Sequence, residues 1–246
     1  MGEIYALLSG KGGTGKTSVC AGLACALAEQ GCSVLCIDCD VGLRNLDISL
    51  GLSDCGALSF LDLSEGGYPA SGVCSHGSYP NLDFLTAPMN VPVEKIDIAA
   101  FRSLLLKLRG QYDFILLDAA AGVDAGFRLV SAAAERFLVV TGAGPAAVRD
   151  ARRISDLLEL AGKKDVRMIV NRVDRDLLYE IRLTIDDVMD ESGLPLTGVV
   201  PEDAHVTLAA AFGLPLMKYA RRCDAAKAFR RIARRLQGYR EPIGLK

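Results

Sequence analysis

The chain has 246 residues, of which 50% are apolar and 24% charged, and its formal net charge is −2. This composition is that of a globular protein and excludes disordered, collagen-like and fibrous chains. The small net charge gives no overall attraction to a polyanion. The basic residues are unevenly placed, however, because nine Lys or Arg and only two acidic residues lie within 221–246.

Apolar runs and helical patterns alternate along the chain. Strands are predicted at residues 4–8, 33–38, 113–118, 137–141, 166–170 and 196–200. Helices are predicted at residues 17–30, 92–109, 145–161, 177–192, 204–212 and 224–236. The strands are continuously apolar, as in sheets that are covered on both faces. We therefore predict an α/β fold with a single doubly wound, mainly parallel sheet and helices on both faces.

The domain organisation is predicted to be simple. We expect one domain over residues 1–246, which ends in a basic helix and a short tail at 221–246. Residues 54–82 are rich in Gly, Ser and Pro and are predicted to be irregular. No apolar run approaches the roughly 18 residues that a membrane span needs. We expect a cytoplasmic protein, with peripheral attachment to a membrane as the alternative.

A phosphate-binding loop follows the first predicted strand. It is formed by Gly10, Lys11, Gly12, Gly13, Thr14, Gly15, Lys16 and Thr17, with Ser18 next, and fits the pattern GxxxxGK(S/T). Glycines let backbone N–H groups curl around phosphate oxygens, and the following helix N-terminus adds positive potential. In this pattern Lys16 contacts the β- and γ-phosphates and the Thr17 hydroxyl is a ligand of Mg²⁺.

Three aspartates lie at the ends of predicted strands. Asp118 ends the strand at 113–118, and Asp38 and Asp40 lie at the end of the second strand. A Mg²⁺–nucleotide site needs an acidic residue at the end of a neighbouring strand. A carboxylate near the γ-phosphate can also orient an attacking water. Asp at a strand end is often a turn or a helix cap, but three of them beside a phosphate loop favour a nucleotide site.

With these motifs, the chain resembles the MinD/ParA family of deviant Walker A P-loop ATPases, and most closely its MinD members. The string GKGGTGK at 10–16 is similar to the deviant Walker A motif, in which the first lysine is the additional one. The string DCDVGLRNLD at 38–47 is similar to switch I of MinD, and YDFILLDAAAG at 112–122 to switch II. Residues 147–154 resemble the helix that binds partner proteins in the family.

The resemblance implies a role for each matching residue. Asp40 would orient the lytic water, Asp118 would bind Mg²⁺ through water, and Asp38 would support the metal. The adenine-binding segments would be Asn171, Arg172, Pro201, Glu202 and Asp203. An ATP-bound homodimer is implied, in which Lys11 stabilises charge in the partner's site, as an arginine finger does. The enzyme would thus be a Mg²⁺-dependent ATP hydrolase with division-regulator partners.

The chain departs from the family pattern at several positions. Ala120 replaces a usual Pro in switch II, and Arg152 replaces a usual acidic residue on the partner helix. Residues 239–246 contain Pro242 and Gly244 and are not expected to form the terminal amphipathic helix of MinD proteins. The predicted helix at 224–236 is interpreted as docked on the sheet with a solvated basic face. The alternative is a weak contact of that face with an anionic membrane or DNA.

Three functions remain open on the sequence alone. The first is a MinD-like ATPase in the spatial regulation of cell division, and the second a ParA-like partition ATPase that binds DNA. The third is a regulator similar to the flagellar-placement ATPases. The string NRVD at 171–174 also resembles a guanine-reading box, although the surrounding motifs favour ATP. The cysteines are expected to be reduced, and His76 and His205 are expected to have no metal-ligand set.

Overall fold

A computed structural model of the chain describes residues 2–53, 55–64 and 72–243. The strands are β1 (Glu3–Leu8), β2 (Val34–Cys39), β3 (Cys74–His76), β4 (Tyr79–Leu85), β5 (Phe114–Ala119), β6 (Arg136–Thr141), β7 (Asp165–Val173) and β8 (Leu196–Pro201). The helices are α1 (Lys16–Glu29), α2 (Leu46–Leu50), α3 (Phe60–Ser64), α4 (Ile98–Leu108), α5 (Ala125–Ala133), α6 (Pro145–Leu160), α7 (Arg175–Glu180), α8 (Ile185–Ser192), α9 (Ala204–Ala211), α10 (Leu216–Tyr219) and α11 (Asp224–Leu236).

All these strands belong to one sheet, in the order β3-β4-β2-β5-β1-β6-β7-β8. Only the pairing of β3 with β4 is antiparallel among the strands described. The side chains of β1 alternate between the two faces, because Ile4 and Leu8 pack with α4, α5 and α6 while Tyr5 and Leu7 pack with α1 and α11. The predicted fold class, a doubly wound and mainly parallel sheet, is therefore confirmed.

The prediction of an irregular segment at 54–82 is partly wrong. Residues 74–76 and 79–85 form β3 and β4, and β4 pairs in parallel with β2. Polar residues such as Asn81 and Asp83 interrupt the apolar pattern of β4, although Leu82 and Phe84 are buried. Asp54 and residues 65–71 of this predicted segment lie outside the described residues.

Two predicted helices begin or break differently from the pattern. The helix predicted at 92–109 begins at Ile98, because the Asp97 carboxylate accepts hydrogen bonds from the backbone N–H groups of Ala99 and Ala100. The helix predicted at 177–192 is two helices, α7 and α8. Thr184 and Asp187 form a capping box that starts α8, so the chain turns between the end of α7 and the start of α8.

The last helix, α11, packs across α1 and β8. A Cβ atom at Gly22 of α1 would lie 2.5 Å from the Phe229 ring, and one at Gly198 of β8 would lie 2.4 Å from Ile232. Glycine at these two positions lets the backbones approach. The apolar face of α11 is therefore part of the core, as the docked interpretation predicted. None of the helices described has both the length and the apolar composition to cross a bilayer.

Candidate nucleotide site

The phosphate-binding loop connects β1 to α1, as predicted. Gly13 and Gly15 both have φ 81°, which a side chain would strain. A Cβ atom at Gly15 would also lie 2.3 Å from Nδ2 of Asn171. Both the positive φ and this close approach therefore favour glycine at position 15. Lys16 and Thr17 begin α1, and Ser18 follows in its first turn. The loop thus turns sharply enough to present backbone N–H groups ahead of a helix N-terminus.

The first lysine of the loop faces α6. A Cβ atom at Gly10 would lie 2.4 Å from Cβ of Asp150, so the loop passes closely over this helix. Lys11 Nζ lies 3.9 Å from Asp150 Oδ2, and its side chain is 49% exposed. An exposed pair at this distance adds little stability. Lys11 is therefore free to reach another partner at small cost.

The second lysine of the loop is buried and paired. Lys16 Nζ lies 2.6 Å from Asp118 Oδ1, and the two side chains are 6% and 1% exposed. Burial alone disfavours the ammonium, but the Asp118 carboxylate outweighs it and raises the pKa of Lys16. A fully charged lysine at the start of α1 is suited to contact a phosphate.

Asp38 lies beside Asp118, because the two residues are in register on β2 and β5. Its carboxylate accepts hydrogen bonds from the backbone N–H groups of Asp40 at 2.9 Å and Leu46 at 3.1 Å, which hold the 40–46 loop to the sheet. Burial and the charge of Asp118 raise the pKa of Asp38 to about 7. Asp40 is half-buried in the same place, where burial raises its pKa despite the nearby Lys16.

These oxygen donors fit Mg²⁺. Asp38 and Asp118 place two carboxylates side by side at the carboxyl edge of the sheet, and the Thr17 hydroxyl belongs to the first turn of α1. Mg²⁺ prefers carboxylates, hydroxyls, water and phosphate oxygens. The raised pKa of Asp38 also favours a cation site, because two neighbouring buried carboxylates repel each other and a cation between them relieves that repulsion.

Asn171 and Arg172 tie the end of β7 to the phosphate loop. Asn171 Nδ2 donates to the carbonyl of Thr14 at 2.8 Å, and Arg172 Nη1 donates to the carbonyl of Gly13 at 3.2 Å. Arg172 has φ 56° and also donates through Nε to Glu202 at 2.8 Å. These contacts to the loop backbone were not predicted, since no sequence pattern pairs residues 157 positions apart.

A cavity of about 140 Å³ lies next to this junction. Its walls include Gly15, Ser18, Asn171, Arg172 and residues 201–203. Asp203 has structural contacts as well, since its carboxylate accepts from the backbone N–H groups of His205 and Ala225. Partial burial opposes ionisation, but these hydrogen bonds prevail and lower the pKa of Asp203 to about 2. The predicted adenine-binding segments thus surround one cavity.

His205 was expected to have no metal-ligand set, and the structure places two other potential ligands beside it. Asp203, His205 and Cys223 each offer a ligand atom, and these atoms lie within 4.8 Å of one another. Local patterns carry little signal for this cluster, because Cys223 lies before α11 and is brought near His205 by the tertiary fold.

The strand–loop–helix cradle, its buried lysine and the flanking carboxylates define a P-loop nucleotide-binding protein. The protein-family model described as the CobQ/CobB/MinD/ParA nucleotide binding domain matches residues 5–216 of this chain. The chain therefore belongs to the MinD/ParA family, and it is a P-loop ATPase. ATP and Mg²⁺, the expected cofactors, agree with this membership.

Relatives and solved structures are similar over nearly the whole chain. The septum site-determining proteins MinD of Synechocystis sp. and Thermotoga maritima are both 35% identical, covering 99% of this chain and 92% and 91% of their own. The MinC:MinD cell division protein complex of Aquifex aeolicus matches with a TM-score of 0.89 at 33% identity, over 98% of each chain. MinD of Pyrococcus horikoshii, complexed with Mg-ADP, matches with a TM-score of 0.84 at 29% identity over 96% of each chain.

Proposed function

We propose that the chain, as one domain over residues 1–246, is a MinD-like ATPase that dimerises on ATP and helps to position the cell-division machinery. The observation that carries this proposal is that two lysines of the phosphate loop and three aspartates lie at one edge of the sheet. Lys16 pairs with Asp118, and Asp118 neighbours Asp38. The backbone N–H group of Asp40 donates to Asp38, and Lys11 stays exposed. The two relatives that are 35% identical to this chain are also named septum site-determining protein MinD.

In the proposed reaction the loop binds the triphosphate. Backbone N–H groups of residues 12–17 cradle the phosphates, and Lys16 exchanges Asp118 for a phosphate oxygen. Asn171, Arg172 and residues 201–203 flank the base. Asp40 orients the water that attacks the γ-phosphorus, so that water adds, the bond to the β-phosphate oxygen breaks, and ADP and phosphate leave. Mg²⁺, held through Thr17, Asp38 and Asp118, would neutralise phosphate charge.

Dimerisation is proposed because Lys11 is exposed next to an apolar surface. A cavity of about 300 Å³ extends from Lys11 and the phosphate loop to α7. Leu177 and Ile181 line it and are half-exposed, and Tyr179 on the same helix is 87% exposed. Burial of this surface against a second copy would bring each Lys11 to the other copy's triphosphate.

Division-regulator proteins are the proposed partners of α6. MinD of Aquifex aeolicus was solved in complex with MinC. On this chain Arg152 pairs with Asp156 at 2.8 Å on the same helix, both about half-exposed. This surface therefore carries mixed charge, and we expect its partner to carry both signs too.

A weak contact of the basic helix α11 with anionic lipid or DNA is the second candidate. Several of its arginines have internal partners: Arg230 pairs with Glu29, Arg234 with Glu241, and Arg235 donates to the Thr197 carbonyl. Lys227 also pairs with Asp224 at 2.9 Å, and the exposed Arg222 lies just before the helix. Few free charges predict a weak, salt-sensitive contact.

Phosphate release from ATP tests the enzymatic proposal. We expect Mg²⁺-dependent hydrolysis of ATP and much slower hydrolysis of GTP, and equal activity on GTP would contradict the base assignment. Sedimentation with anionic vesicles and, separately, with DNA, each with ATP or ADP, tests the surface contact. ATP-dependent binding to vesicles supports the MinD-like function, whereas ATP-dependent binding to DNA supports the partition function.

A further inference from the structure

A cluster of three chemically different side chains joins the start of α9 to the start of α11. Asp203 caps α9, His205 is the second residue of α9, and Cys223 caps α11. One ligand atom from each residue lies within 4.8 Å of the other two. A carboxylate, an imidazole and a thiol therefore meet at one point outside the phosphate loop.

Backbone amides already orient two of these side chains. Asp203 Oδ2 accepts from the N–H group of Ala225 at 3.1 Å, and Cys223 Sγ accepts from the N–H group of Ala226 at 3.4 Å. Asp203 Oδ1 lies 2.7 Å from His205 Nδ1. Such outer contacts hold metal ligands in place in known metal sites.

We propose that Asp203, His205 and Cys223 bind Zn²⁺ and fasten the start of α11 to the start of α9. Zn²⁺ prefers imidazole nitrogen, thiolate sulfur and carboxylate oxygen, which is the set present here. Bonds of about 2.0–2.3 Å in tetrahedral geometry place the ligand atoms about 3.3–3.8 Å apart. The three ligand atoms lie within 4.8 Å of one another, and the closest printed pair, Asp203 Oδ1 and His205 Nδ1, is 2.7 Å apart. Rotation of the half-exposed His205 side chain away from Asp203 would bring the set to the distances that Zn²⁺ needs.

The site keeps one open position. The His205 side chain is 52% exposed and that of Asp203 9%, so one side of the cluster faces solvent. Water therefore completes the coordination. The pKa of the Cys223 thiol is raised to about 11, first by burial and also by contact with Asp203. Zn²⁺ binding displaces the thiol proton, which passes to solvent, and replaces the hydrogen bond between His205 and Asp203.

Spectroscopy of the Co²⁺-substituted full chain tests the site. The reduced, chelator-treated protein, without nucleotide, is titrated with Co²⁺ and then with Zn²⁺. We expect tetrahedral d–d bands and a thiolate-to-metal charge-transfer band, both removed by Zn²⁺. Because no nucleotide is present, the outcome does not depend on the proposed ATPase function.

Two variants remove ligands and keep the fold. Cys223→Ser retains a helix cap, since Ser is a preferred N-cap residue, and His205→Gln alters an exposed side chain. Each should weaken Co²⁺ binding at least about tenfold, and Cys223→Ser should abolish the charge-transfer band. The matched controls are Cys32→Ser and Cys74→Ser, which change other partly exposed thiols and should keep both bands.

Zn²⁺ should also raise the thermal unfolding midpoint of the unchanged protein and not that of Cys223→Ser. No charge-transfer band in the unchanged protein, or a band that persists in Cys223→Ser, would overturn the proposal.

Discussion

Lys16 Nζ lies 2.6 Å from Asp118 Oδ1 in the interior of the protein. Each residue neutralises the other, and Asp118 also adjoins Asp38 across the β2–β5 pairing. The lysine that we expect to bind phosphate is therefore also the partner of a buried carboxylate. We expect loss of either partner to have separable effects on folding and on binding.

Lys16→Ala should abolish ATP binding and lower the free energy of unfolding by about 3–5 kcal/mol, because it leaves a buried carboxylate unpaired. Adding Asp118→Asn should restore much of the stability but not the binding. Urea unfolding measures the first effect and calorimetric titration with ATP the second. Tight ATP binding by Lys16→Ala would refute the assignment of the loop.

Asp40→Ala should bind ATP with little change and lose nearly all hydrolysis, so that the ATP-bound dimer persists. A missing water-orienting carboxylate removes general-base or positioning catalysis, which typically contributes about 10²–10⁴-fold. Single-turnover phosphate release measures the rate. Asp190→Ala, an exposed acidic position on α8, is the matched control. Hydrolysis at the unchanged rate would exclude Asp40 from this role.

Lys11→Ala should prevent ATP-dependent dimerisation while each monomer still binds ATP. The reason is that Lys11 has only a 3.9 Å surface contact with Asp150 and is proposed to reach the other copy's phosphates. Size-exclusion chromatography with and without ATP reports the oligomer. Lys107→Ala on the exposed face of α4 should dimerise normally. An ATP-dependent dimer of Lys11→Ala would contradict the exchange of lysines between copies.

Protonation of His76 should destabilise the fold. Its Nε2 lies 2.8 Å from the Leu50 carbonyl and its Nδ1 accepts from the Ser78 N–H group, so the neutral ring satisfies both contacts. Burial lowers the pKa of His76, although the contact with Leu50 opposes this. The unfolded chain then binds more protons than the folded chain below about pH 6.5, and stability falls as the pH falls through that value.

Urea unfolding at a series of pH values measures this effect. His76→Gln should be less stable than the unchanged protein at pH 8 and should lose this part of the pH dependence. An identical pH dependence in both proteins would mean that His76 ionises as it does in the unfolded chain.

Gly22→Ala should destabilise the protein by up to about 2 kcal/mol, although Ala favours helices. The added Cβ would lie 2.5 Å from the Phe229 ring, which is 1% exposed and cannot move away. Overpacking of this kind costs about 1–3 kcal/mol, against a gain of about 1 kcal/mol in helix propensity. In the background of Phe229→Leu the same change should be neutral or stabilising. Thermal unfolding of the unchanged protein, the two single variants and the double variant gives the coupling energy between positions 22 and 229. Absence of coupling would contradict the packing of α11 against α1.

Local patterns identified the sheet, the phosphate loop and the family. The string at 10–17 is contiguous, and the strands are continuous apolar runs, so neither depended on distant contacts. The family and the fold class are confirmed, while the roles of the individual site residues stay predictions.

The missed features depend on contacts between distant segments. β4 was missed because Asn81 faces the backbone of α1 and Cys32, to which it donates two hydrogen bonds, so a polar residue is correct there. Thr184 and Asp187, the capping-box residues, were a sequence signal for the break between α7 and α8. The break was missed because the helical spacing of apolar residues continues across it. The cluster of Asp203, His205 and Cys223 joins the starts of α9 and α11, which no local pattern relates.

A crystal structure with Mg²⁺ and a non-hydrolysable ATP analogue tests the central claim most directly. The account predicts the triphosphate within residues 10–17, with Lys16 Nζ moved from Asp118 to a phosphate oxygen and Lys11 of a second copy at the same site. A nucleotide bound elsewhere, with Lys16 still on Asp118, would contradict it.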